Sequence, residues 1–91
     1  MSDISKDYGN FIKERRTARG LSQAEVAKKL GISQVAYGRY ELGMREPNFD
    51  LIIKIACILE FNPSEFFDGY MSARLPWYAE KLEKNDDSDN R

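Results

Sequence analysis

Positions 34 to 39 hold side chains that suit hydrogen bonding to the edges of nucleic-acid bases. Gln34 can form two hydrogen bonds with adenine and Arg39 two with guanine, while Val35 can touch the methyl group of thymine. On a helix, positions 34, 35, 38 and 39 share one face, because neighbours lie three and four residues apart. Gly38 has no side chain, so it either lets DNA approach closely or reads nothing. The four become base-reading candidates if they open a helix that enters the major groove.

Two short helices are predicted on either side of Gly31. Ser22 is a suitable N-cap, and Glu25 three residues later completes a capping box. Gly31 ends this first helix, Ser33 caps the second, and Gly43 ends it. Two short helices joined by a turn of three or four residues that contains glycine are typical of a helix-turn-helix, so the candidate residues lie at the start of its second helix.

The rest of the chain predicts further helices and no strand. Residues 1–7 are polar without a clear period and are expected to form a flexible arm, and a helix follows from Tyr8 to about Ala18. Another helix starts near Pro47 and Asn48, with a buried stripe that is expected to include Cys57 as an inert apolar group. The predicted stripe also contains Leu51, Ile52, Ile55, Ala56 and Leu59.

The C-terminal third begins with a fifth helix and ends in a polar tail. Asn62 caps this helix, which runs to about Tyr70 and completes a DNA-binding domain over residues 8–70. Pro76 is expected to break the chain, and a short sixth helix follows within an extension over residues 71–84. Residues 85–91 are predicted to be disordered.

The composition lacks the residues that many enzymes use. The chain has 91 residues, no histidine to act as a base or metal ligand, and one cysteine without a disulfide partner. It shows no glycine-rich phosphate loop, no secretory signal and no apolar run long enough to cross a membrane. We therefore expect a cytoplasmic, non-enzymatic protein with no cofactor, no metal, no small-molecule ligand and no membrane partner.

Charge is distributed unevenly along the chain. Residues 1–45 contain nine Lys or Arg and five Asp or Glu, a net charge of +4, whereas residues 46–91 contain five and ten, a net charge of −5. The total of −1 hides this asymmetry. A basic front half can face phosphate, while the acidic back half faces solvent or a partner.

The ordered motifs of the chain resemble the Cro and lambda-repressor-like family, also called Xre-type regulators. The resemblance rests on residues 21–43, LSQAEVAKKLGISQVAYGRYELG, with Arg45-Glu46-Pro47 and Ile55-Ala56 behind them, and extends from Tyr8 to Phe67. It implies an all-α, five-helix lambda-repressor-like domain. It also implies a transcriptional regulator, most often a repressor, that binds a palindromic double-stranded DNA operator as a dimer.

The resemblance implies a role for individual residues of this chain. Base reading falls to Gln34, Val35, Gly38 and Arg39. Phosphate binding falls to Ser22, Gln23 and Arg45, although Ser22 is mainly a cap, and Met44 replaces a lysine that is frequent in the family. A salt bridge between Arg16 and Glu41 is expected to orient the second helix of the motif. Helical spacing favours core packing over base stacking for Tyr37 and Tyr40.

The C-terminal third contains more aromatic residues than a small core needs. Aromatic residues of this kind anchor interfaces, and members of the family usually dimerise. We expect a homodimer contact at Phe66, Phe67, Tyr70, Leu75, Trp77 and Tyr78. The alternative is that Trp77 and Tyr78 fold back onto the same core.

Two other functions remain open from the sequence. An antitoxin or a restriction-modification controller would use the same fold at a similar size. A protein-interaction module that has lost DNA binding would agree with the acidic back half, Gly38 and Met44.

Overall fold

The computed structural model describes residues 3–84, which form five α-helices and no strand. They are α1 (Asp3–Ala18), α2 (Gln23–Leu30), α3 (Gln34–Glu41), α4 (Phe49–Leu59) and α5 (Pro63–Lys84). The all-α, five-helix prediction is confirmed. The predicted disorder of residues 85–91 and the first two residues of the predicted arm lie outside the described residues.

Local capping bonds start four of the helices where the sequence predicts them. The Ser22 hydroxyl accepts the N–H of Glu25, whose carboxylate accepts the N–H of Ser22 at 2.7 Å. Ser33 and Asn48 accept N–H groups three residues ahead, at 3.0 and 2.8 Å. The N–H of Asn62 donates to the carboxylate of the third residue after it. Such caps stabilise a helix start by about 1 kcal/mol each.

The turn between α2 and α3 is set by Gly31. Its φ of 75° lies in the left-handed region, which glycine adopts without a steric cost. Ser33 caps the next helix two residues later, so a very short connection joins the two helices. This is the predicted helix-turn-helix.

One hydrophobic core joins all five helices. The middle of α3 enters it through Tyr37, which is 0% exposed, and Tyr40 packs against it from the side. Core packing of both tyrosines therefore agrees with the prediction. The buried apolar residues are Tyr8, Ile12, Val26, Ala27, Tyr37, Ile55, Ala56, Leu59, Phe61, Phe66 and Tyr70.

The start of α1 differs from the prediction. Residues 3–7 are helical rather than a loose arm, because contacts from distant parts of the chain hold them. Ser5 is buried and its hydroxyl donates to the Glu46 carboxylate at 2.9 Å, while Ile4 packs against the core. The polar sequence alone does not show these contacts, since Glu46 is 41 residues away.

The end of α5 also differs, because the helix continues through Pro76 instead of breaking there. One contact bridges the two sides of the proline, since the hydroxyls of Tyr70 and Tyr78 lie 3.3 Å apart. On the C-terminal side, the rings of Trp77 and Tyr78 meet edge to face. Burial and the Tyr78 hydroxyl raise the pKa of Tyr70 to about 12. There is therefore no separate sixth helix among residues 3–84.

The outer face of α4 contains an unpredicted apolar stripe. The predicted buried stripe is present, since Ile55, Ala56 and Leu59 are buried and the earlier positions pack against them. Cys57, however, is exposed, so the prediction that it lies in that stripe is wrong. It follows Phe49 and Ile53 at helical spacing, and both of these are also exposed.

None of the helices over the described range is long and apolar enough to cross a bilayer.

Candidate nucleic-acid interface

The recognition face is the exposed side of α3. Gln34, Val35 and Arg39 are exposed and Gly38 is partly so, whereas Tyr37 on the side facing the core is 0% exposed. An α-helix with its side chains is about 10–12 Å in diameter, and the major groove of DNA is about 12 Å wide. The helix therefore has the diameter and the polarity to be inserted with this face forward.

The four base-reading candidates lie together in one open groove, which we call the recognition groove. The structure thus brings the base-reading set together with one member of the phosphate-binding set. The lining residues are Gln23, Gln34, Val35, Gly38, Arg39, Leu42 and Met44. Ser22 and Arg45 flank it in sequence but are not part of its lining.

Gly38 leaves a notch in this groove that the fold does not require. A Cβ added at Gly38 would lie 3.6 Å from Oε1 of Gln23, which is an ordinary van der Waals contact. An alanine would therefore fit within the free protein. The missing side chain therefore matters for a bound partner, which can come closer to the helix backbone at Gly38 than at other positions of this face.

The start of α2 is suited to binding an anion. The hydroxyl of Ser22 is occupied by capping, and the Gln23 side-chain amide donates to Oε1 of Glu41 at 2.9 Å. The first N–H groups of a helix have no acceptor inside it, and they point out from its positive end. The backbone of Gln23 is therefore a better phosphate donor than the hydroxyl of Ser22.

A buried ion pair ties α3 to α1. Arg16 donates from Nε to Oε2 of Glu41 at 2.6 Å and from Nη2 to Oε1 at 3.1 Å, as the family resemblance implies. Its third nitrogen, Nη1, donates to the carbonyl of Leu21 at 2.8 Å. With Gln23 as a third donor, the Glu41 carboxylate joins α1, α2 and α3 at one point.

The protonation states of this pair follow from the contacts. Burial alone raises the pKa of Glu41, but the hydrogen bonds from Arg16 and Gln23 outweigh it, so the net pKa lies below the ordinary value. The hydrogen bond to Glu41 raises the pKa of Arg16. Both groups are therefore ionised at neutral pH, and the network holds the C-terminal end of the recognition helix.

The loop after α3 carries an exposed cation. Arg45 lies in this loop with no hydrogen bond or ion pair to any residue in the part of the chain that the structure describes. Met44 beside it is also exposed and offers no charge. Arg45 is thus available at the far end of the motif from Gln23.

Three arginines of the basic front half are neutralised within the chain. Arg15 pairs with Glu65, Arg16 pairs with Glu41, and Arg19 pairs with Glu60. The other basic residues of this half are exposed and have no ion pair within residues 3–84. They are Lys6, Lys13, Lys28, Lys29, Arg39 and Arg45.

The predicted dimer contact does not form one surface. Phe66 and Tyr70 are core residues and are not available to a partner, and Phe67 packs against the same core. Tyr78 is half-buried against Tyr70, while Leu75 and Trp77 remain exposed.

A second candidate contact surface, not predicted from the sequence, lies on the outer face of α4. Phe49 and Ile53 on the outer face of α4 are 85% and 64% exposed. The sequence does contain a sign of this surface: Phe49 is an apolar residue directly after the cap Asn48, and it lies outside the spacing of the buried stripe.

Among the described residues, no three His, Cys, Asp or Glu side chains converge as a metal site would require.

Comparison with known proteins agrees with this geometry. A family model described as helix-turn-helix matches residues 12–66. The HTH-type transcriptional regulator YqaE of Bacillus subtilis is 45% identical over 68 residues, which cover 75% of this chain and 59% of that protein. The SPbeta prophage-derived HTH-type transcriptional regulator YonR of the same organism is 40% identical over 57% of this chain and 48% of that protein. The chain spans about half the length of these curated relatives.

A solved structure shows the same fold. The restriction-modification controller protein C.AhdI of Aeromonas hydrophila superposes with a TM-score of 0.65 at 33% identity. The match covers 72% of this chain and 98% of the controller.

Proposed function

The chain belongs to the Xre/Cro-like helix-turn-helix family, and we propose that it is a transcriptional regulator that binds double-stranded DNA sequence-specifically. The observation that carries this proposal is the exposed face of α3. Gln34 and Arg39 lie on it in one open groove, while the core holds the opposite face and the Arg16–Glu41 pair holds the last residue of the helix.

In the proposed complex, α3 lies in the major groove. Gln34 binds adenine and Arg39 binds guanine, each through two hydrogen bonds, and Val35 contacts a thymine methyl group. Each two-bonded contact contributes about 1–3 kcal/mol of discrimination between bases. Gly38 provides no side chain and lets the DNA approach the helix backbone.

Phosphate contacts hold the helix in register. The backbone N–H of Gln23 at the start of α2 binds one phosphate, and Arg45 binds another on the far side of the motif. Such contacts position the protein without reading sequence. The buried Glu41 network supports this arrangement, because it fixes the start of α2 relative to α3.

We further propose that two copies bind a palindromic site and repress transcription by blocking access to the promoter. Half-sites would lie one helical turn apart, about 34 Å. The contact between copies uses the outer side of α5, where Leu75 and Trp77 are exposed. The regulator is non-enzymatic and acts in the bacterial cytoplasm, where its operator lies.

A restriction-modification controller is a specific form of this function. It is favoured by the match to C.AhdI, which covers nearly all of that controller. The discriminating observation is the position of the operator: a controller's site lies beside genes for a restriction enzyme or its methyltransferase, and that of an unrelated regulator does not.

The test is selection from a random duplex pool with the wild type and with a Gln34→Ala, Arg39→Ala double variant. We expect a palindromic consensus from the wild type that is lost or degraded at specific bases in the variant. A Lys84→Ala variant on α5 serves as the control and should select the wild-type consensus. Absence of enrichment by the wild type at low salt, where phosphate attraction is strongest, would reject the proposal.

A further inference from the structure

A second groove adjoins the recognition groove on the side of α1, and we call it the α1 groove. Three residues of α1 form one of its walls, and the start of α2 and the end of α3 form the other. The lining residues are Lys6, Asn10, Lys13, Gln23, Glu41 and Leu42. Because Gln23 and Leu42 also line the recognition groove, the two grooves form one continuous surface.

Close backbone contacts fix α1 beside the recognition helix. A Cβ at Gly9 would lie 2.4 Å from the carbonyl oxygen of Glu41 and 2.6 Å from that of Tyr40, so only glycine lets α1 cross the end of α3 at this distance. The next turn meets α1 in the same way: a Cβ at Gly43 would lie 2.7 Å from the Cα of Lys6. The position of Lys6 relative to α3 is therefore set by backbone packing.

The polar residues of α1 in this groove are unused by the fold. Lys6, Asn10 and Lys13 follow at spacings of four and three, so they share one face of the helix, and all three are exposed. None of them has a hydrogen-bond or ion-pair partner anywhere between residues 3 and 84. The acidic lining residue, Glu41, is already satisfied by Arg16 and Gln23.

We propose that the α1 groove is a second phosphate-binding site, in which Lys6 and Lys13 bind phosphodiester groups of the DNA strand that borders the recognition groove. The proposal rests on the DNA-binding function proposed above. Seven residues of helix rise about 10 Å, so the two lysine side chains can reach separate phosphate groups of one strand. Asn10, between the two lysines, can donate its amide to the same strand.

This site would add affinity without adding sequence preference. Each neutralised phosphate releases counterions, so that log K falls with log salt by about 0.9 per contact. Two contacts therefore contribute a slope of about 1.8, which corresponds to about a 30-fold gain in affinity at 0.15 M salt relative to 1 M salt. They also place the first half of α1 against DNA.

The experiment compares a Lys6→Gln, Lys13→Gln double variant with a Lys54→Gln, Lys84→Gln double variant of equal charge change. Lys54 and Lys84 are exposed and lie outside both grooves. Affinity for the duplex selected by the wild type is measured across a salt series. We expect the salt slope of the first variant to decrease by about 1.8, with its selected consensus unchanged, and the control to keep the wild-type slope.

Two results would overturn the inference while leaving the proposed function intact. One is an unchanged slope in the Lys6→Gln, Lys13→Gln variant while the wild type binds its duplex specifically. The other is an equal loss in both double variants, which would show a general effect of net charge. If the wild type binds no duplex, the proposed function and this inference fail together. All variants alter exposed side chains, and matching thermal unfolding curves would verify that they fold.

Discussion

Helix α1 begins earlier and helix α5 ends later than the sequence predicts, and the two added segments are held in different ways. The start of α1 is fixed by a buried Ser5, the bond to Glu46 and the passage of Gly9 over the end of α3. The end of α5 extends past the core with Leu75 and Leu82 more than half exposed. The first region is part of the scaffold, whereas the second offers apolar surface to a partner.

This difference links each extension to a separate role. The anchored start of α1 has a polar outer face that continues the recognition groove, so its position relative to that groove is fixed. The end of α5 makes few contacts with the core, and its apolar side chains gain from burial only if something else covers them. We therefore assign the α1 extension to DNA and the α5 extension to a second copy of the chain.

The largest expected effect comes from placing the same methyl group in the two regions. Gly9→Ala should lower the free energy of unfolding by about 3 kcal/mol, because the added carbon meets backbone atoms that cannot move aside. Gly69→Ala in α5 has nothing within 4 Å of its Cβ. It should raise the free energy of unfolding by about 0.5–1 kcal/mol, since alanine is the better helix former. Urea unfolding measures both, and equal effects would show that α1 is not held as described.

The second effect concerns the ion pair that holds α1 on α3. Glu41→Gln leaves the partly buried Arg16 without its charge partner and should cost about 2–3 kcal/mol at neutral pH. Because the pKa of Glu41 is lowered in the folded state, its stabilisation is complete above the ordinary value of 4.5 and is lost as the pH falls through the folded-state pKa. The gap in unfolding free energy between wild type and variant should therefore begin to narrow as the pH falls below 4.5.

A constant gap from pH 7 to pH 3 would contradict this interpretation of Glu41. The control is Glu60→Gln, which removes the exposed pair with Arg19. Exposed pairs contribute about 0–1 kcal/mol, so this variant should remain close to the wild type.

The third effect separates association from folding at the end of α5. Trp77→Ala should weaken self-association at least tenfold, because exposed aromatic residues act as anchors of interfaces. It should change the unfolding of the monomer little, since Trp77 is 41% exposed. Analytical ultracentrifugation over a micromolar concentration range measures the association.

The matched control for that experiment is Phe49→Ala on the outer face of α4. If Phe49→Ala reduces association and Trp77→Ala does not, the contact between copies lies on α4 instead. If the wild type stays monomeric at tens of micromolar, with and without DNA, the proposed homodimer is wrong.

The smallest effect is expected at the proline inside α5. Pro76→Ala restores a helical hydrogen bond that proline cannot donate. Because the surrounding residues are largely exposed, the gain should appear as slower amide exchange over residues 72–84 and less than about 1 kcal/mol in global stability. Unchanged exchange in that stretch would mean that the helix is already fully formed there.

The sequence predicts what local chemistry determines. The caps at Ser22, Ser33, Asn48 and Asn62 were predicted because each uses a residue two or three positions away. The exposed face of α3 followed from the same spacing. The start of α1 was missed because its partner Glu46 lies 41 residues away, which no local pattern reveals.

The errors on α4 and α5 have a similar cause. The apolar type of Cys57 predicts a place in the buried stripe, although its spacing puts it with the exposed Phe49 and Ile53. Phe66 and Tyr70 were assigned to an interface because aromatic residues exceeded the expected core, yet both fill that core. Which apolar residues remain exposed depends on how the helices pack, and composition does not determine this.

The most direct test of the two assignments is photocrosslinking from single cysteines in a Cys57→Ser background. Lys6→Cys and Leu75→Cys proteins are labelled with a photoactivatable group and irradiated in complex with the selected duplex. The account predicts that position 6 crosslinks to DNA and that position 75 crosslinks to a second protein chain. Crosslinking of position 75 to DNA, or of position 6 to protein alone, would contradict it.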